Sequence, residues 1–119
     1  MALIADVLVG VVAFLHLYFL VLEMFLWAKP TGLRVFKQTL EKAQVSQVLA
    51  ANQGLYNGFL AAGLIWSLFQ TTPEFAFQLK AFFLSCVLVA GIYGGITASR
   101  GIIFVQACPA ALALGFLLY

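Results

Sequence analysis

The sequence predicts an all-α polytopic membrane protein, a four-transmembrane-helix bundle that forms one domain over residues 1–119. Of the 119 residues, 65% are hydrophobic and 8% are charged, and the mean hydropathy is +1.09. Because soluble domains carry about a quarter charged residues, this composition indicates an integral membrane protein. The apolar runs are long and unbroken, which favours helices over the short alternating strands of membrane barrels.

Four spans of about 20 residues fit the length of the chain. They are predicted at about 3–28, 45–69, 75–98 and 102–119, with a basic connection at 29–44. Thr72 is followed by Pro73 and Glu74, an order that is typical of a helix start. The letters "SRG" at 99–101 predict the tight turn before the last span.

The basic residues predict the orientation of the spans. Five of the six Lys and Arg residues fall in the connections 29–44 and 99–101, and only Lys80 falls on the opposite side. Because basic residues are enriched in cytoplasmic connections, both of these connections are predicted to be cytoplasmic. The protein is then a multi-pass protein of the plasma (inner) membrane with both termini outside. Within 29–44, Leu33, Phe36 and Leu40 share a helical face, which fits either a helix on the membrane surface or a connector packed on the bundle.

Polar residues inside the predicted spans are the candidates for function, because a polar side chain in hydrocarbon needs a partner. Residue depth, at about 1.5 Å per residue from each cytoplasmic end, sorts them into two layers. The shallow layer holds Glu23, Asn52 or Gln53, Tyr93 and Gln106, and the deeper layer holds His16, Asn57 and Ser85 or Cys86. We therefore predict a polar pocket in the cytoplasmic half of the bundle. Its candidate ligand-binding residues are His16, Glu23, Asn52, Gln53, Asn57, Tyr93 and Gln106.

Simpler structural roles compete with this interpretation. The three amides could join helices by hydrogen bonds, and Glu23 could pair with Arg100 or Lys29. Asp6, near the outer end of the first span, is expected to be solvated. One histidine with one glutamate is a poor set of transition-metal ligands, so neither a metal nor a cofactor is predicted. The net charge of +2 is too small to suggest nucleic acid.

Small residues and one proline suggest how the helices pack. Gly54 and Gly58, like Gly91 and Gly95, have the spacing that lets helices approach closely. Pro109 removes a backbone hydrogen bond to Val105, which predicts a kink or a carbonyl free to contact a ligand.

Four motifs carry a family resemblance: "HLYFLVLEMFLW" (16–27), "VLAANQGLYNGFLAAGLIW" (48–66), "GIYGG" (91–95) and "FVQACPA" (104–110). Together they resemble a family of small bacterial four-span membrane proteins catalogued as domain of unknown function 1304. The resemblance implies a four-helix inner-membrane protein. It supplies no activity and no catalytic residues, so whether the chain is an enzyme stays open.

Three functions remain open. The first is binding or transport of a small solute, with Glu23 and His16 as protonatable groups and a homodimer expected, since four spans are few for a transporter. The second is a membrane enzyme that carries out acid–base chemistry on a lipid-like substrate. The third is an assembly or accessory subunit. The bilayer is a predicted partner in every case.

Overall fold

The structure is a computed structural model that describes residues 2–119. It is 86% helical, and no strand occurs within the described residues, so the all-α prediction is confirmed. The helices are α1 (Ala2–Met24), α2 (Pro30–Val35), α3 (Leu40–Leu68), α4 (Pro73–Thr97), a π-helical turn (Ile103–Ala107) and α5 (Cys108–Leu118).

Two of these helices, α1 and α4, are long and apolar enough to cross a membrane. The segment Ile103–Leu118 is apolar but shorter than these two helices. Helix α3 is long enough, but its first half is polar, so its mean hydropathy is lower. Four membrane spans therefore stay a prediction.

The helix boundaries differ from the predicted spans around the basic connection. Helix α1 ends at Met24 rather than near 28, and α3 begins at Leu40 rather than near 45. The backbone N–H of Lys42 donates to the side-chain oxygen of Thr39 at 3.2 Å, which caps the start of α3. Hydropathy did not reveal this start because the first turns of α3 are polar.

The prediction that Leu33, Phe36 and Leu40 share the face of one helix is wrong. Helix α2 ends at Val35, and Lys37 has a left-handed backbone with φ of 52°. That conformation is uncommon for residues other than glycine and interrupts a helix. Leu40 consequently belongs to α3.

The described chain divides into two compact units. The first contains the chain up to Leu15 together with Leu60–Tyr119, and the second contains His16–Phe59. In the first unit, buried residues of α1, α3, α4 and α5 form one apolar core: Val9, Val12, Ala13, Leu64, Leu84, Val87, Ala110 and Ala113. Their spacing of three or four residues within a helix is that of one helical face.

Helix α4 starts as predicted, with Thr72 at the N-cap and Pro73 in the first turn. Gly91 and Gly95 allow a close approach, as predicted, and the element that approaches them is the π-helical turn. A Cβ at Gly91 would lie 2.6 Å from the backbone nitrogen of Ala107, and one at Gly95 would overlap Ile103. The π-helical turn ends just before Pro109, so the expected distortion occurs as one wide turn that accommodates the missing N–H.

The first unit also contains an ion pair that the sequence analysis missed. The Nζ of Lys80 donates to Oδ1 of Asp6 at 2.5 Å, with the Lys80 side chain 13% exposed and that of Asp6 44% exposed. Asp6 is therefore partly solvated, as expected, but it also has a charged partner that was not predicted. The pair joins the first turns of α1 to the second turn of α4.

We predict that Gly91→Ala destabilises the protein by about 1–3 kcal/mol, because the new methyl group meets backbone atoms that must move. The free energy of unfolding in mixed micelles measures this. Gly10→Ala is the matched control, since no atom lies within 4 Å of a Cβ built there. It should be neutral or stabilising by up to about 1 kcal/mol through helix propensity. Equal effects of the two substitutions would contradict the packing described for Gly91.

Candidate functional site

The second unit contains an antiparallel pair formed by the end of α1 and the first part of α3. A Cβ at Gly58 would lie 2.7 Å from Cδ1 of Leu20. One at Gly54 would lie 2.7 Å from Cγ of Met24 and 3.0 Å from Cβ of Glu23. Both glycines therefore face α1, which confirms the prediction that they allow a close helix approach.

The carboxylate of Glu23 lies in this close interface. Glu23 is 6% exposed, and its Oε1 accepts a hydrogen bond from Nδ2 of Asn57 at 2.5 Å. Asn57 follows Gly54 by three residues, so it lies on the same side of α3. The absence of a side chain at Gly54 brings the backbones close enough for the amide to reach the carboxylate.

The ion pair of Glu23 with Lys29, one of the two expected, does not occur within the second unit, and pairing with Arg100 stays a prediction. The partner of Glu23 is instead a neutral amide. A buried carboxylate without a cation is unfavourable unless it binds a proton or a positively charged ligand. The site therefore combines a protonatable group with a fixed hydrogen-bond donor.

The layering inferred from depth is wrong at this point, because it paired Glu23 with Asn52 or Gln53 and placed Asn57 deeper. The depths were counted from residues 28 and 45 as though both helix ends lay at one level. Helix α1 ends one residue after Glu23, whereas α3 begins 17 residues before Asn57, so the first turns of α3 extend past the end of α1. Asn52 and Gln53 lie at exposed positions on α3.

The buried face of α1 includes His16 as well as Glu23. His16 is fully buried, and its ring contacts that of Phe19 edge to face, with centroids 5.8 Å apart. His16 and Glu23 are seven residues apart and share a face, as predicted. Their separation along the helix is about 10 Å.

The other two candidates belong to the first unit. Tyr93 on α4 is 69% exposed, and Gln106 lies half-buried in the π-helical turn. Two surface cavities also occur in this unit, one along the Cys108–Tyr119 face of α5 and one around Arg100. Neither cavity is lined by a candidate residue. A polar pocket that joins all seven candidates stays a prediction.

An aromatic cluster fixes the connection beside the site. Nε1 of Trp27 donates to Oγ of Ser46 at 3.1 Å, and this hydroxyl donates to the carbonyl of Lys42 at 2.9 Å. The ring of Phe36 packs against that of Trp27, with centroids 4.8 Å apart. Gly32 is buried, and a Cβ there would lie 2.8 Å from the carbonyl oxygen of Trp27. These contacts hold the start of α3 against the end of α1 and so set the register that joins Glu23 to Asn57.

We predict that Asn57→Leu lowers the free energy of unfolding by about 1–3 kcal/mol, because the carboxylate loses its donor while it stays buried. Asn52→Leu is the matched control on the same helix, and it should change the free energy by less than about 0.5 kcal/mol because Asn52 is exposed. Chemical unfolding in mixed micelles measures both. A larger loss for Asn52→Leu than for Asn57→Leu would contradict the site.

Comparison with known proteins places the chain in a family. The family profile described as protein of unknown function (DUF1304) matches residues 10–118. An uncharacterized protein, YpaA, of Lactococcus lactis subsp. lactis is 33% identical over 117 residues, which cover 96% of each chain. No solved structure matches the chain. The match spans nearly the whole chain, including every candidate residue, and the chain therefore belongs to the DUF1304 family of proteins of unknown function.

Proposed function

We propose that this chain is an integral membrane protein. The most apolar windows of α1 and α4 are only 28% and 22% buried within the protein, whereas the core helix of a soluble protein is mostly buried. Large apolar side chains such as Leu3, Phe14 and Val89 are 66–75% exposed. Large apolar side chains exposed to this degree are unfavourable in water and favourable in lipid.

The proposed topology is multi-pass in the plasma (inner) membrane, with four spans, both termini outside and the connections 29–44 and 99–101 in the cytoplasm. The excess of basic residues in these connections supports it. Trp27, in the aromatic cluster, would lie at the cytoplasmic interface, where amphipathic rings are favoured.

Cysteine labelling tests this topology. In a Cys86→Ser, Cys108→Ser background, we expect Thr71→Cys to react with a membrane-impermeant maleimide in intact cells. Lys37→Cys should react only after the membrane is permeabilised, because its segment faces the cytoplasm. The reverse pattern would contradict the proposed orientation.

The proposed function is binding or transport of a small solute, with Glu23 and His16 as protonatable groups. One observation carries it: the buried Glu23 carboxylate is held by a neutral amide, and no Lys or Arg of its own unit, His16–Phe59, pairs with it. In a membrane such an acid is costly, and intramembrane acids commonly mark ion or substrate pathways. A proton and a solute could then occupy the carboxylate alternately, which would couple their movements.

Flux measurements test this function. In proteoliposomes containing a pH-sensitive dye, we expect one member of a panel of small amines, amino acids and organic acids to move protons across the membrane. Glu23→Gln should reduce this flux at least about tenfold, since the amide keeps a hydrogen-bond acceptor for Asn57 but cannot take up a proton. Glu74→Gln is the matched control at an exposed acid and should leave the flux unchanged. Flux that survives Glu23→Gln would contradict the proposal.

A second candidate, an assembly or accessory subunit, is favoured by the exposure of Asn52 and Gln53 on α3. Exposed amides in lipid are stabilised by hydrogen bonds to a neighbouring chain. The same proteoliposomes separate the two functions, because an accessory subunit alone would move no solute with or without Glu23.

A further inference from the structure

The turn between α4 and the π-helical turn forms an open cleft of about 450 Å³ that the Glu23 site does not use. Ile103 forms the floor of the cleft. Its side chain packs directly on α4 at Gly95, where there is no side chain to prevent the contact. Ser99 and Arg100 lie at the polar end of the cleft, while Ile96 and Phe104 line the apolar part.

The charge of the cleft is positive. Arg100 is its charged lining residue, and none of the four acids of the chain lines it. One carbonyl in the last turn of α4 is hydrogen-bonded within the protein: that of Gly94 accepts from the N–H groups of Ala98 and Ser99 at 2.8 and 3.0 Å. These bonds reduce the negative potential that a helix end would otherwise present to an anion.

The polar end offers two hydrogen-bond donors of different kinds. The guanidinium of Arg100 presents several N–H groups in a planar fork that matches the oxygens of a phosphate. Oγ of Ser99 accepts from the N–H of Gly101 at 3.3 Å, which leaves its hydroxyl hydrogen able to donate to a second oxygen.

The apolar part of the cleft is uncovered. Ile96 is 77% exposed and Phe104 is 73% exposed, and both lie next to the cationic end. A ligand that satisfies both parts must carry an anionic oxygen group joined to a hydrocarbon chain. Basic clefts on the cytoplasmic side of membrane proteins bind lipid head groups through the same combination.

We propose that this cleft binds one anionic glycerophospholipid of the cytoplasmic leaflet. The phosphate lies against Arg100 and Ser99, and an acyl chain runs along Ile96 and Phe104. This site rests on the proposed membrane location and topology but not on solute transport through Glu23.

The test uses the purified full chain in a neutral detergent, with native mass spectrometry to count bound lipids. The probes are phosphatidylglycerol, phosphatidylcholine with the same acyl chains, and sn-glycerol 3-phosphate as the head group alone. We expect phosphatidylglycerol to bind the protein and the other two to bind at least about tenfold more weakly.

Arg100→Gln should weaken phosphatidylglycerol binding about tenfold, whereas the matched control Arg34→Gln, at an exposed basic residue of α2, should leave it unchanged. Equal losses in the two variants would indicate diffuse attraction and overturn the site, as would no loss in either. Glycerol phosphate that binds as tightly as the lipid would overturn the lipid assignment.

Failure of this proposal is distinguishable from failure of the proposed function. A chain that stays soluble after the detergent is removed would refute the membrane location itself. A chain that needs detergent but binds phosphatidylglycerol independently of Arg100 would refute only the lipid site.

Discussion

The hydrogen bond from Asn57 to the buried carboxylate of Glu23 is the interaction on which the rest of the second unit depends. It requires α1 and α3 to approach closely, which Gly54 and Gly58 allow, and it requires one register between them, which the Trp27–Ser46 contact and the buried Gly32 maintain. The bond is local, but the packing that surrounds it reaches from Leu20 to Phe36.

The first unit is organised by packing rather than by a polar group. Its apolar core draws on four helices, and Gly91 and Gly95 bring the π-helical turn against α4. The turn precedes Pro109, so one local irregularity both accommodates the proline and allows the contact with α4. The charged pair of this unit, Asp6 with Lys80, links the first turns of α1 to α4. The uncovered surfaces are largely apolar, which is why lipid is the environment that we propose.

Much of the helical architecture could be predicted from hydropathy, but the register could not. Helix α4 lies within two residues of its predicted bounds because Pro73 and Thr72 mark its start directly. The start of α3 lies in a polar stretch, and the end of α1 is followed by four apolar residues (25–28), so hydropathy reveals neither boundary. The shared buried face of His16 and Glu23 followed from helix periodicity, whereas the pairing of Glu23 with Asn57 depends on how a connection of fifteen residues (25–39) folds. The Asp6–Lys80 pair was missed because depth was compared only from the cytoplasmic ends.

The central claim is that the Glu23 carboxyl is bonded to Asn57 when the protein is in a lipid bilayer. Infrared difference spectroscopy of the protein in lipid, with Glu selectively labelled with ¹³C at the side-chain carboxyl, measures this most directly, since Glu23→Gln identifies the band. Our account predicts that this band shifts in Asn57→Leu and keeps its position in Asn52→Leu. A Glu23 band that is unchanged by Asn57→Leu would contradict the account.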